Sequence, residues 1–158
     1  MDITFRTPEG CFNLRAAAVI LHEGRILAMK DDNSPYYYLP GGRIRLHETA
    51  DSAVLREVRE ELGVEARIIR PLWVNQGFFN EDVTHIDFHE ICVYYLIDVK
   101  GTSLPLTGEG FLRQEGHRIH RFTWLRVDQL KDEYFYPLFL KDRLHALPEA
   151  LELIASYD

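Results

Sequence analysis

No apolar run in this sequence approaches the roughly 20 residues that a membrane-spanning helix needs. Internal repeats and low-complexity tracts are also missing, and no Ser/Pro/Gly linker is long enough to divide the chain. Cysteine is scarce. Cys11 and Cys92 are the whole supply, in no metal-like or redox-like spacing, so each reads as a small buried hydrophobe and a disulfide framework is excluded. Positive charge is short as well: 18 Lys and Arg stand against 25 Asp and Glu, for a net charge of −7. That balance excludes a general binder of nucleic-acid polymers, because phosphate backbones reward clustered Lys and Arg. An anionic small molecule remains an admissible partner if a cation intervenes. The opening residues, MDITFRTPEG, lack the basic and then apolar order of a secretion signal, so the cytoplasm is the expected compartment and no membrane partner is expected. What is present, 158 residues of which 46% are hydrophobic, suits one domain spanning 1–158.

Local patterns give an order of elements. LRAAAVILHEGRILAMK reads as two β runs, Leu14 to Leu21 and Ile26 to Lys30, joined as a hairpin at His22-Glu23-Gly24. YYYLPGGRIRL predicts a short aromatic strand stopped by Pro40, then a loop in which Gly41 and Gly42 admit backbone geometry closed to other residues. A helix is predicted from Thr49 to Leu62, ended by Gly63. ARIIRPLWV and FHEICVYYLIDV are rich in β-branched and aromatic residues and read as strands, as does HRFTWLRV. Lys100 to His117 reads as a long loop, and the segment from Asp128 onward shows apolar residues at helical spacing, divided by Pro137 and Pro148. The order predicts a mixed sheet covered by helices.

Inside the predicted helix, REVREELGV places Glu57, Glu60 and Glu61 within a turn and a half, where like charges repel. On a wheel with Ala50 at zero, the apolar Ala53, Val54, Val58 and Leu62 fall at about 300°, 40°, 80° and 120°. Glu57, Glu60 and Glu61 fall at about 340°, 280° and 20°, inside and beside that buried arc, whereas Arg59 falls at about 180° on the solvent side. Three carboxylates so placed cannot all stay ionised without a counter-charge. Arg56 can pair with Glu60 four residues on, but one arginine does not neutralise three acids. Carboxylate oxygens favour a hard ion that keeps waters and leaves room for substrate phosphates, so Mg²⁺ is expected, with Mn²⁺ as its substitute.

These residues complete a known pattern. Gly42, Glu48, Arg56, Glu57, Val58, Glu60, Glu61, Gly63 and Val64 fill every specified place of G-x5-E-x7-R-E-U-x-E-E-x-G-U, with U aliphatic. The chain therefore resembles the Nudix hydrolases; a chance match at nine positions in a chain of this length is on the order of 10⁻⁷. The resemblance is specific over Gly42 to Val64 and architectural elsewhere. It implies an α/β/α sandwich with a mixed β-sheet between helices. It further implies metal-dependent attack of water on phosphorus in a nucleoside diphosphate derivative, such as a nucleoside triphosphate, ADP-ribose or a nucleotide sugar. Carried over position by position, Glu57, Glu60 and Glu61 correspond to the metal-binding glutamates. Glu48 corresponds to a supporting or metal-linked acid, Arg56 to the arginine that orients the glutamates, and Gly42 to the loop backbone near the metal.

Outside the box the readings stay plural. The general base is a box glutamate, or Glu115, Glu109 or Glu90, with Glu115 the preferred outside candidate. His85 and His89 do not have the spacing of a metal site. Arg43, Arg45 and Arg113 are candidate phosphate contacts. Among the aromatics Tyr36, Tyr37, Tyr38, Phe78 and Phe79, Tyr37 and Phe78 are the chosen candidates to stack on a flat group. The residue 16 places after Val64 is Asn80, neither proline nor tyrosine, so no downstream mark of an ADP-ribose, NADH or dinucleoside polyphosphate enzyme is present. The rival reading is a catalytically silent nucleotide sensor, which would be expected to have lost a box glutamate; none is lost here. An isoprenoid diphosphate isomerase would place a cysteine at the reacting carbon, a context neither Cys11 nor Cys92 has. A homodimer is the commonest assembly for such a domain.

Overall fold

The computed structural model describes residues 1–158. Ten strands form two sheets. β1 (Thr4–Thr7), β2 (Gly10–Val19), β7 (Asp87–Asp98), β6 (Arg67–Asn80) and β10 (Glu152–Tyr157) lie side by side in that order, and β5 (Gly41–Arg43) also pairs with β2. This large sheet is mixed: β2 runs parallel to β7, and β10 runs parallel to β6, whereas β6 and β7 are antiparallel. The second sheet contains β3 (Leu21–His22), β4 (Arg25–Asp31), β9 (Arg118–Arg126) and β8 (Gly110–Glu115).

Alternation along β2 separates two cores. Ala16, Ala18 and Ile20 pack with Ala53, Val54, Val58 and Leu62 of α1 (Ala50–Leu62), while Ala17 and Val19 pack with Leu130, Phe135, Leu140 and Leu144 on the opposite side. A strand carrying small apolar residues on both faces can be covered on both, which produces an α/β/α layering around the mixed sheet. The four buried residues of α1 are those on the apolar arc of the wheel. Thr49 caps its start by accepting from Ser52 N at 3.2 Å, and Gly63, at φ 69°, ends it with N–H to Arg59 O at 3.0 Å. No helix is long and apolar enough to cross a membrane.

Four local expectations change. The Leu14 to Leu21 run divides after Val19, so that only Leu21 and His22 pair with Ile26 and Arg25 as a hairpin, while β2 belongs to the other sheet. The aromatic segment before Pro40 makes isolated bridges, Met29 with Tyr38 and Tyr37 with Phe135, and the strand falls instead on Gly41–Arg43. The long loop after Lys100 contains β8, which folds back on β9 with Phe111 stacked on Phe122 at 4.9 Å. Finally, helix in the C-terminal segment is confined to the short α2 (Phe139–Arg143) and a 3₁₀ turn at Val127–Asp132, and residues 152–157 are strand. There the open edge of β6 supplies backbone partners that the helical spacing of the apolar residues does not, and tertiary pairing overrides local preference.

Candidate active site

The box loop and helix meet through backbone and carboxylate. Gly41, at φ 152°, is pressed so closely on β2 that a Cβ there would collide with Ala16 O, and its N–H donates to Glu61 Oε2 at 3.0 Å. A Cβ at Gly42 would collide with the Glu57 carboxylate. Gly42→Ala is therefore expected to displace the Glu57 carboxylate and to lower any turnover that depends on it by about 10–100-fold, the usual effect of disturbing groups that orient a site's ligands. Circular dichroism and steady-state kinetics check this, and full activity in the variant overturns it.

Arg56 organises the acids. Its Nε and Nη2 reach the two oxygens of Glu48 at 2.7 and 3.0 Å, its Nη1 binds Glu57 Oε1 and lies 3.2 Å from Glu60 Oε2, and Nη2 also donates to Arg43 O at 3.1 Å. The Arg56 contact holds the Glu48 carboxyl down to about 2. Glu48 thus holds Arg56 through a two-pronged contact. Burial raises Glu57 despite its arginine, and burial followed by repulsion from Glu57 pushes Glu61 up to about 8. Three glutamates, Glu48, Glu57 and Glu60, share the Arg56 guanidinium, with Arg45 contributing only a 3.8 Å contact to the half-exposed Glu60.

No three His, Cys, Asp or Glu side chains converge on one point in this arrangement, because Arg56 draws Glu57 and Glu60 to itself. The donor set nevertheless fits a hard cation. Glu57 and Glu61 are oxygen ligands whose ionisation their surroundings oppose, and the side-chain-free Gly41-Gly42 backbone lies against both.

Beside this cluster opens a cavity of about 310 Å³. Arg15 stands at its boundary. It is held charged against the cost of burial by Glu90, 3.8 Å away, with Glu61 also acting on it, and its Nη2 approaches Gly41 O at 3.4 Å. The sheet contributes Arg15 and Ala17, Glu90, Cys92 and Tyr94, Asn75, Gly77 and Phe79, and Ser156. Across from them stand Tyr36, Tyr38, Tyr136, Glu81 and Asp82. Tyr38 Oη donates to Asp31 Oδ2 at 3.2 Å.

The structure redistributes the candidates outside the box. Tyr37 turns away from the cavity and carries Lys30 Nζ over its ring at 4.3 Å; Phe78 faces the far side of the sheet, stacked on Tyr157 at 5.1 Å. Their neighbours Tyr36, Tyr38 and Phe79 line the cavity instead, since adjacent residues of an extended chain point oppositely. Arg43 Nε binds Asn13 Oδ1 at 3.1 Å, and Arg113 Nη1 binds Leu62 O at the helix end at 3.2 Å, so both are engaged in structure. Glu115 lies close enough to raise Glu61, and His120 Nε2 is 3.1 Å from its Oε2, off the line of a formed hydrogen bond. Glu109 is exposed in the turn before β8, and Glu90 lines the cavity. His89 packs on Phe78 on the opposite face. Both cysteines are free and buried. Arg15, Asn75 and Tyr136 were not legible as site residues. The one signal was Arg15 itself, a charge beside the apolar run Ala16 to Leu21.

A carboxylate-rich helix docked on a Gly-Gly loop, at the edge of a mixed sheet within an α/β/α layering, presents a donor set suited to a hard cation. The NUDIX domain family matches residues 12–143, and the chain belongs to that family. It is 30% identical over 89 residues to the ADP-ribose pyrophosphatase of Methanocaldococcus jannaschii, covering 54% of this chain and 50% of that protein. It is 35% identical over 77 residues to a putative 8-oxo-dGTP diphosphatase of Bacillus subtilis strain 168, covering 48% and 52% respectively. The chain thus spans about half the length of these relatives. Its fold is similar to the crystal structure of a mutator MutT protein from Bacillus halodurans, with a TM-score of 0.62 at 13% identity over 90% of this chain and 89% of that one.

Proposed function

We propose that this chain is a Mg²⁺-dependent pyrophosphohydrolase that cleaves the diphosphate linkage of a nucleoside diphosphate derivative. The observation that carries the reading is the juxtaposition of the ionisation-opposed pair Glu57 and Glu61 with Arg15, which lines the cavity. Glu57 and Glu61 would hold the ion, joined by Glu60 on release from Arg56. When bound, Mg²⁺ supplies a water of lowered pKa and charge neutralisation at phosphate oxygens. The protein's own groups do the rest. Arg56 sets the direction of the glutamates and Glu48 locks Arg56, while Arg15 offers the cavity's cation to a phosphate on the glutamate side. Glu115, close to Glu61, is the outside candidate to accept the water proton. The intact box supports catalysis over silent binding, and the names of the relatives support a nucleotide derivative as substrate.

The test is a hydrolysis screen with Mg²⁺ over nucleoside triphosphates, ADP-ribose, nucleotide sugars and dinucleoside polyphosphates. Turnover of at least one class is expected, lost with EDTA and in Glu60→Gln. Silence on every class would move the chain to the sensor reading, and unchanged turnover in Glu60→Gln would remove that glutamate from the metal site.

A further inference from the structure

The hairpin of β8 and β9 is docked on the end of the box helix. Phe111 and Phe122 stack at 4.9 Å in the core that α1 shares, and Arg113 Nη1 donates to Leu62 O at 3.2 Å, one residue beyond Glu61. Residues directly opposite each other in an antiparallel pair share a face, and Phe111 stands opposite Phe122, and Arg113 opposite His120. Glu115, two residues after Arg113 on β8, is on that same face. It is thereby carried toward the acids of the box, and its charge acts on Glu61.

His120 is the polar side chain of this face that nothing satisfies. It is only 6% exposed, and neither ring nitrogen has a hydrogen-bond partner. A neutral imidazole carries one donor and one acceptor, and burying them unpaired costs free energy, so the position calls for a partner. The neighbours leave one. Asp31 stands opposite His120 on β4, but its Oδ1 takes Asn33 N at 2.8 Å and its Oδ2 takes the Tyr38 hydroxyl at 3.2 Å. Arg113 is itself a donor and is engaged at the helix end. Glu115 Oε2 lies 3.1 Å from His120 Nε2, and this is the one ion-pair contact that Glu115 makes. The distance is already that of a hydrogen bond and only the direction is wrong. A small swing of the Glu115 carboxylate, whose side chain is 56% exposed, brings an oxygen into line without moving the backbone.

We propose that His120 is a positioning residue: its Nε2–H holds one oxygen of Glu115, fixing that carboxylate on the Glu61 side and leaving the other oxygen for the attacking water. An exposed glutamate has several rotamers open to it, whereas an imidazole buried beside Phe122 is a fixed anchor. Catalytic hydrogen bonds are often misaligned in a ligand-free protein and tighten when the site is filled. The proposal deepens the pyrophosphohydrolase reading and rests on it for the chemistry. In that reaction the water oxygen bonds to phosphorus as the P–O bond of the diphosphate breaks, and the water's proton passes to the free oxygen of Glu115.

Steady-state kinetics of the full chain, on whichever diphosphate compound it hydrolyses, separate positioning from packing. His120→Phe keeps a flat ring in the socket without a donor, and His120→Gln keeps an N–H donor near the place of Nε2. His120→Phe is expected to lower kcat by about 10–100-fold, the range of one hydrogen bond to a charged group, with KM within about twofold. His120→Gln should recover kcat to within about fivefold of the parent, because the donor is retained. Once Glu115→Gln has removed the base, His120→Phe should add less than about twofold, the mark of two residues acting as a unit. Parent-like kcat in His120→Phe, equal losses in the Phe and Gln variants, or full additivity with Glu115→Gln overturns the proposal. A second readout needs no turnover. Nitrogen-15 NMR of the full chain in EDTA should show His120 as the Nε2–H tautomer, with a ring proton protected from exchange that is lost in Glu115→Ala. The Nδ1–H tautomer, or a ring proton indifferent to Glu115→Ala, also overturns the proposal. A Glu115-dependent ring proton alongside a silent hydrolysis screen keeps the pairing and removes the pyrophosphohydrolase reading alone.

Discussion

Glu61→Gln is expected to abolish Mg²⁺-dependent hydrolysis and, at the same time, to stabilise the metal-free protein at pH 8. A bound metal supplies several kcal/mol of transition-state stabilisation, and at about 1.4 kcal/mol per tenfold its displacement lowers kcat/KM by about 10³ or more. The stability effect has the opposite sign. Burial, then Glu57, raises the Glu61 carboxyl from 4.5 to about 8 in the folded chain. A raised carboxyl contributes stability that is fully present below its unfolded value near 4.5 and is lost as pH rises to about 8. Glutamine does not titrate, so it escapes that loss. Thermal melts in EDTA should show the variant above the parent by several degrees at pH 8, the gap closing toward pH 5, and Mg²⁺ should raise the parent more than the variant. A variant that melts below the parent at pH 8 in EDTA refutes the electrostatic account of the acid pair.

Arg56→Met should be the most destabilising substitution in the box. Arg56, Glu48 and Glu57 have side chains only 14–15% exposed, and the guanidinium reaches Glu48, Glu57, Glu60 and the Arg43 carbonyl. Removing it leaves partly buried carboxylates unpaired, a loss of about 3–5 kcal/mol when one member of a buried pair is deleted. Urea unfolding at pH 7 measures it. The acid limb changes too. Glu48 is held down to about 2 chiefly by its hydrogen bonds with Arg56, so in the parent it contributes stability present above its unfolded value near 4.5 and lost as pH falls toward 2. The variant should show a flatter stability profile over that window. Arg56→Lys keeps the charge and loses the two-pronged geometry, so it should fall between the two. Parent-like stability in Arg56→Met would mean that the acids are solvated and need no organiser.

Much of α1 was legible because its information is local. Periodicity, a threonine before the first turn and a glycine after the last depend on residues a few places apart, and the wheel placed Ala53, Val54, Val58 and Leu62 on the buried side where the structure has them. The electrostatic tension of Glu57, Glu60 and Glu61 was equally local, since spacing alone puts them beside that arc. The C-terminal segment went the other way: its apolar spacing suits a helix, and Glu152–Tyr157 became a strand because β6 offers an edge whose paired residues, Trp73 to Phe78, lie far earlier in the chain. Within aromatic runs, side-chain direction follows strand register, which no local pattern reveals; so Tyr36, Tyr38 and Phe79 line the cavity while Tyr37 and Phe78 do not.

The sequence by itself determined the acid cluster, the glycine loop before it and the family they belong to, because those features sit within 23 consecutive residues and act through short-range geometry. Only the tertiary structure decided that Glu48 pairs with Arg56, that Arg15 stands between the acids and a cavity, and that Asn75, Tyr136 and Phe79 line it. Those residues come from separate strands and turns, and they meet because parallel pairing of β2 with β7 and of β10 with β6 brings distant segments onto one face.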